Sequence, residues 1–234
     1  MPATRKPKIL AFDTSTPRGS VALLEGTELQ AELKLQRLQN HSANLLRSVD
    51  FLLDSLGWNL EDLDLVASGI GPGSFTGIRI GIATGLGIAQ SLSLPFAGIS
   101  GLEALGNQVL HLQGRVGVLL DAHRSQAYYA EYLISGRKMR EGLQPTLVYL
   151  EDLPVLLKTT PLFLIGDTSL YPGELIQIPK SSWPRIIETD PYLSASIGRR
   201  ALSVKRRWKS GTFLQCEPLY IRPPDAVKNK EGKR

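Results

Sequence analysis

The chain has 234 residues, 42% of them apolar, and 27 Lys/Arg against 22 Asp/Glu give a formal charge of +5. That length can bury a sizeable core, one cysteine (Cys216) allows no internal disulfide, and no apolar run reaches the length of a membrane span. A disulfide scaffold, a membrane-spanning protein and a disordered chain are excluded; a cytoplasmic globular protein is expected, since Met1 to Lys8 is basic and lacks the apolar region of a signal peptide.

In chain order, Lys8–Thr14 is apolar and ends in polar turn residues, which predicts a strand. Pro17-Arg18-Gly19 turns into a second strand at Ser20–Leu24. Glu25-Gly26-Thr27 turns again into a third strand, Glu28–Gln36, completing an antiparallel meander. A helix is expected over Ser42–Leu56, stopped by Gly57. Its Leu45, Leu46, Val49, Leu52, Leu53 and Leu56 make a broad apolar stripe, with Phe51 off it. A strand at 65–70, a glycine-rich helix at 75–93 and a short strand at Pro95–Ile99 follow.

The second half repeats this opening. Val116–Leu120 ends at Asp121 as Lys8–Phe12 ends at Asp13, 108 residues earlier. His123-Arg124-Ser125 turns, Gln126–Leu133 returns, and Ser135-Gly136-Arg137 leads into Lys138–Thr146. A helix at Leu150–Leu157, a strand at Leu162–Ile165 and a last helix from Tyr192 to Trp208 complete the pattern. The recurrence predicts a duplicated α/β fold, mixed sheets covered by helices. The lobes are expected at 1–107 and 108–225, with a basic disordered tail at 226–234. Charge is unevenly spread: residues 197–234 hold 11 Lys/Arg and 3 Asp/Glu, while residues 1–196 hold 16 and 19. Arg199-Arg200, Lys205-Arg206-Arg207 and Lys209 are candidates for phosphate contacts, or simply a solvated helix face.

The block Gly71-Pro72-Gly73-Ser74-Phe75-Thr76-Gly77-Ile78-Arg79-Ile80-Gly81 joins strand to helix. Such a turn leaves N–H groups unpaired at the helix start, and Gly77, Gly81 and Gly85 fall on one helix face. Each interior glycine costs about 1 kcal/mol against alanine, so three on one face imply a closely packed neighbour. Two neighbours fit, a helix of the same chain or a subunit interface.

This block resembles the TsaB (YeaZ) family, as do Ile9-Leu10-Ala11-Phe12-Asp13-Thr14-Ser15-Thr16, Leu119-Leu120-Asp121-Ala122-His123-Arg124 and Glu217-Pro218-Leu219-Tyr220-Ile221-Arg222. The resemblance implies the actin/Hsp70/sugar-kinase (ASKHA) fold. It also implies a role as a non-catalytic scaffold in the transfer of threonylcarbamoyl to adenosine 37 of tRNA. The implied partners are TsaD as a heterodimer and TsaE, with TsaC and tRNA met indirectly, and a homodimer where TsaD is absent. The expected contact surface is Leu45, Leu46, Val49, Leu52, Leu53, Gly73, Phe75, Gly77, Ile78, Gly81, Ile82 and Gly85. Gly81→Leu is then expected to wedge that contact and spare the isolated fold.

Within the superfamily, residues after the first strand approach nucleotide phosphates and metal. The matching positions are Asp13, Thr14, Ser15 and Thr16, with Asp121 in the second half. The same residues bond their own turns in many loops. The His-x-x-x-His pair of TsaD falls on Gly101 and Leu105, which carry no ligating atoms, and the Gly-Gly-x-x-x-Asn signature is reduced to the single glycine of Leu164-Ile165-Gly166-Asp167. A vestigial nucleotide site is therefore expected: no metal, no catalytic residue and no cofactor in the isolated chain, with ATP or ADP left to the assembled complex. Protease activity is discounted, because Cys216 has no neighbouring histidine and Ser74 lies outside a Gly-x-Ser-x-Gly elbow. Two alternatives stay open. One is an independent ATP-dependent kinase or hydrolase using Asp13, Thr16 and Asp121; the other is direct tRNA binding through the basic C-terminal region.

Overall fold

The structure, a computed structural model, describes residues 5–36, 41–157, 162–170, 184–204, 211–214 and 216–222. In chain order the elements are β1 (Lys8–Asp13), β2 (Arg18–Glu25), β3 (Glu28–Gln36), α1 (His41–Leu56), β4 (Leu65–Gly69), α2 (Phe75–Ser91), β5 (Phe96–Ile99) and α3 (Gly101–Gln108). Then come β6 (Gly114–Asp121), β7 (Gln126–Ser135), β8 (Lys138–Tyr149), α4 (Leu153–Leu157), β9 (Phe163–Gly166), β10 (Arg185–Ile186), α5 (Ser194–Ser203) and β11 (Phe213–Leu214).

Two compact units result, Met1–Gln108 with Asp190–Leu219, and Val109–Thr189 with Tyr220–Arg234. The contiguous division expected at 107/108 is corrected for residues 190–219. The reason is α5, whose Ile197 is fully buried and whose Gly198 admits Leu24 and Ala11 so closely that a Cβ would lie 2.5 Å from the Leu24 side chain. The expected duplication is present. Each sheet has an antiparallel meander, with a parallel strand on the far side of its first member. The orders are β11-β5-β4-β1-β2-β3 and β10-β9-β6-β7-β8.

In the first unit the two-residue alternation of β1 feeds two cores. Leu10 and Phe12 join Val21, Leu23, Val66 and Phe96 beneath α1 and α2. Ile9 and Ala11, on the opposite pleat, are equally buried on the α5 side. Helix α1 ends where Gly57 takes a φ of +63°, with Gly57 N–H donating to Asp54 O and Trp58 N–H to Leu53 O. Helix α2 starts at Ser74, whose hydroxyl accepts from Gly77 N–H at 3.2 Å.

In the second unit α4 covers one face of the sheet, with Leu153 and Leu157 against Leu119, Tyr129 and Leu164. The β7–β8 hairpin turns through Gly136 and Arg137, at φ of +57° and +59°, and its register shifts on both sides of Glu131.

Several elements depart from expectation, and the two-residue strands β10 and β11 are among those the sequence did not announce. Helix α3 was not anticipated, because its eight residues include two glycines and leave too few turns for a periodic signal. Helix α4 begins at Leu153, and the last helix is described over Ser194–Ser203. Its expected extension to Trp208, the cluster Lys205-Arg206-Arg207 with Lys209, and the tail at 226–234 lie outside the described residues. Among the described residues no helix is long and apolar enough to cross a membrane.

Candidate functional site

The glycine row of α2 faces inward. Gly77, Gly81 and Gly85 are buried. A Cβ on Gly77 would collide with the Thr14 carbonyl oxygen; on Gly81 it would lie 2.6 Å from Thr14 Oγ1 and 3.0 Å from Ser68 Oγ; on Gly85, 2.5 Å from the Phe96 ring. Neither neighbour expected for this row, a subunit interface or a helix of the same chain, is the one it meets. The close neighbours are strands β1, β4 and β5 and the turn after β1. Most of the expected contact surface follows it inside: Leu45, Val49, Leu52, Leu53, Ile78 and Ile82 are core residues. Gly73 and Phe75 are half-buried, and Leu46 is 48% exposed.

The turn after β1 is closed on itself. Asp13, Thr14 and Ser15 are buried. Ser15 donates to Asp13 Oδ1 from its N–H at 3.1 Å and its hydroxyl at 2.7 Å, and Thr16 Oγ1 lies 3.4 Å from Asp13 Oδ2. Thr14 donates to Gly77 O at 2.7 Å, and Ser74 N–H donates to Ser15 O at 2.7 Å. The hydroxyls thus tie the turn to itself and to the start of α2. Burial pushes the Asp13 carboxyl above its ordinary value, opposed by the Ser15 and Thr16 hydrogen bonds. The folded chain therefore holds this proton to higher pH than the unfolded chain does. The contribution to stability is complete below the ordinary carboxylate range and is lost as pH rises through the folded value. Asp13→Asn keeps an acceptor for Ser15 and removes the charge. Its melting temperature should match wild type near about pH 4 and exceed it increasingly towards about pH 8; a pH-independent difference would exclude this origin.

In the second unit Asp121 also serves its own turn. Its carboxylate accepts His123 N–H at 2.7 Å and lies 3.1 Å from His123 Nδ1, while Asp121 N–H donates to Asp167 Oδ2 at 2.9 Å. His123, Arg124 and Ser125 all have φ near +56°, unusual for residues with side chains. Arg222 straps the turn by donating to Ala122 O at 2.6 Å and to Gln126 Oε1, and Leu150 N–H donates to Ser125 O at 2.9 Å. The sequence offered Asp121, His123 and Arg124 at this turn and Arg222 only within a C-terminal motif; nothing in it signalled that Arg222 reaches Ala122, 100 residues away.

What α1 and α2 leave accessible is a different set. On α2, Ala83 and Gly87 are exposed, Ile80 and Thr84 are half-buried, and nothing lies within 4 Å of a Cβ placed on Gly87. On α1, Leu46 and Phe51 are 48% and 62% exposed. Arg79 stacks on Phe75 at 3.8 Å from the ring centre. Beside Phe51 a groove of about 400 Å³ is lined by Leu33, Leu35, Gln36, Asn44 and Arg47.

Comparison with known proteins agrees with this architecture. The family profile described as "TsaD: tRNA N6-adenosine threonylcarbamoyltransferase" matches residues 36–160. The tRNA threonylcarbamoyladenosine biosynthesis protein TsaB of Bacillus subtilis is 34% identical over 166 residues, which is 70% of this chain and 72% of that protein. The solved structure of YeaZ from Pseudomonas aeruginosa superposes with a TM-score of 0.73 at 27% identity, covering 92% of this chain and 99% of that one. A ROK hexokinase from Thermus thermophilus, at 13% identity, covers 84% of this chain and 97% of that one with a TM-score of 0.51, and so shares the sugar-kinase-like fold. By sequence and by fold, the chain belongs to the TsaB (YeaZ) family.

Proposed function

We propose that this chain is a non-catalytic subunit in the formation of N6-threonylcarbamoyladenosine on tRNA. It pairs with a TsaD-type transferase through the outer faces of α1 and α2 and supports a TsaE-type ATPase, while a TsaC-type enzyme supplies the activated threonylcarbamoyl group. The observation that carries this is the accessible face itself. Ala83 and Gly87 let another backbone approach α2 closely, and Leu46 and Phe51 offer apolar area for a partner to cover. With no partner, two copies meeting through this face are the fallback.

The competing reading, an independent ATP-dependent enzyme, needs Asp13 and Thr16 turned towards phosphate and metal. Their hydrogen bonds to their own turn favour the scaffold. ATP or ADP is accordingly assigned to the assembled complex.

Modification of tRNA in vitro with TsaD-, TsaE- and TsaC-type partners tests the proposal. Product should vanish when this chain is omitted and should not form from this chain alone. Undiminished product without it would sink the scaffold role.

A further inference from the structure

In the second unit a buried carboxylate stands apart from everything above. Glu131 is 4% exposed in the middle of the sheet, accepts the Tyr129 hydroxyl at 2.7 Å, and holds Arg115 Nη1 at 3.2 Å through its other oxygen. Burying a carboxylate in a sheet is costly, and such a pair is weak evidence for stability. The ladder to β8 is also irregular on both sides of Glu131, a device that re-aims side chains. The outcome is that Arg115, on the central strand β6, has its guanidinium set from behind while its side chain stays 48% exposed.

Strand register shows what shares that face. Arg115 lies opposite Leu133, and Leu133 lies opposite Arg140; one step outward, Ser135 lies opposite Lys138. Arg137 is in the adjoining turn. Arg137, Lys138 and Arg140 are exposed and have no ion pair among the described residues. Glu141 pairs with Tyr132 and so points to the opposite face. Charges that merely guard an exposed edge would sit along β8 alone. This row crosses from the edge to the central strand, with half-exposed Leu133 between its two arginines. Strand spacing puts Lys138 and Arg140 about 7 Å apart and Arg115 about 10 Å from Arg140, so neighbouring phosphates can be met by separate cations.

We propose that Arg115, Arg137, Lys138 and Arg140 form a contact for the phosphate backbone of RNA, with Glu131 and Tyr129 as positioning residues for Arg115. This rests on the tRNA-modification reading above and names the surface by which this chain meets the RNA.

The test uses the full chain carrying Arg137→Ala, Lys138→Ala and Arg140→Ala, assembled with its TsaD- and TsaE-type partners and titrated with labelled substrate tRNA at several salt concentrations. Affinity should fall roughly tenfold or more, and the slope of log affinity against log salt should fall by roughly two to three, one unit per lost contact. Co-purification with the partners should be unchanged. Glu131→Gln, which keeps every cation, should weaken binding less and leave the slope nearly intact. Unchanged affinity and slope in the triple variant would overturn the proposal. So would lost co-purification with the slope preserved, which would assign the face to a protein. If tRNA modification needs this chain but the slope does not move, the RNA contact fails and the scaffold role stands. If modification proceeds without the chain, the scaffold role fails, and the slope still decides the contact.

Discussion

Gly81→Leu should destabilise the isolated chain itself rather than merely unpair it. A first side-chain carbon at residue 81 would lie 2.6 Å from Thr14 Oγ1 and 3.0 Å from Ser68 Oγ, and the rest of a leucine would have to enter a fully buried layer. Both neighbours are themselves anchored: the Thr14 hydroxyl donates to Gly77 O, and the Ser68 hydroxyl to Gly69 O. Relief therefore requires α2 to lift off β1 and β4, exposing Phe12 and Phe96 beneath Gly85. Overpacking of this kind costs about 1–3 kcal/mol when the surroundings can yield and more when they cannot. Breaking the Thr14 anchor strands buried polar groups at about 1–3 kcal/mol each. A combined loss of about 4 kcal/mol or more, roughly 10 °C in melting temperature for a chain of this size, is expected. Thermal denaturation of the purified variant measures it. A variant that melts with wild type would show that α2 lies elsewhere than on the sheet.

Loading the outer face has the opposite signature. Ala83→Arg with Gly87→Arg and Phe51→Asp should abolish pairing with a TsaD-type partner and leave the isolated chain folded. All three positions are exposed, so each change should cost within about 0.5 kcal/mol, and replacing Gly87 removes an interior helix glycine worth about 1 kcal/mol. In a close contact between helices, by contrast, unpaired charges would be stripped of water without compensation. That penalty of about 3–5 kcal/mol corresponds to a loss of affinity of roughly a hundredfold to several thousandfold. Co-purification and titration calorimetry, beside a melting curve at or slightly above wild type, give the result. Pairing at wild-type strength would remove this face from consideration.

The two variants divide what the sequence could and could not say. Recurrence of Gly77, Gly81 and Gly85 every fourth residue correctly announced a close neighbour on one helix face. Periodicity carries no information about what that neighbour is, and the face of a sheet packed close to a helix demands small residues as strictly as another helix does. The stripe of α1 was legible for a related reason: Leu45, Val49, Leu52 and Leu53 alternate at the helical period because they face a core. Leu46, one residue from Leu45, was swept into that stripe although it points outward, and Phe51 off the stripe was the better marker of accessible surface. Strands were readable because each of the two meanders follows apolar runs cut by Gly and Arg turns. The Asp13 and Asp121 turns were readable only as alternatives, since a carboxylate beside hydroxyls looks the same whether it awaits a ligand or bonds its own loop. The Glu131–Arg115 pair could not be seen at all, because it depends on register between strands whose residues lie 16 apart.

The interleaving of the two units governs how the polypeptide must be born. Helix α5 supplies the lid over Ile9 and Ala11, yet it follows residues 109–189, which belong to the other unit. A ribosome delivers these pieces in sequence, so the opening meander waits with one greasy side uncovered while most of a second body, residues 109–189, is made. Translation stalls or truncations beyond Thr189 but short of Ser203 should thus yield a nascent product that is half complete and sticky, the natural client of a holding chaperone.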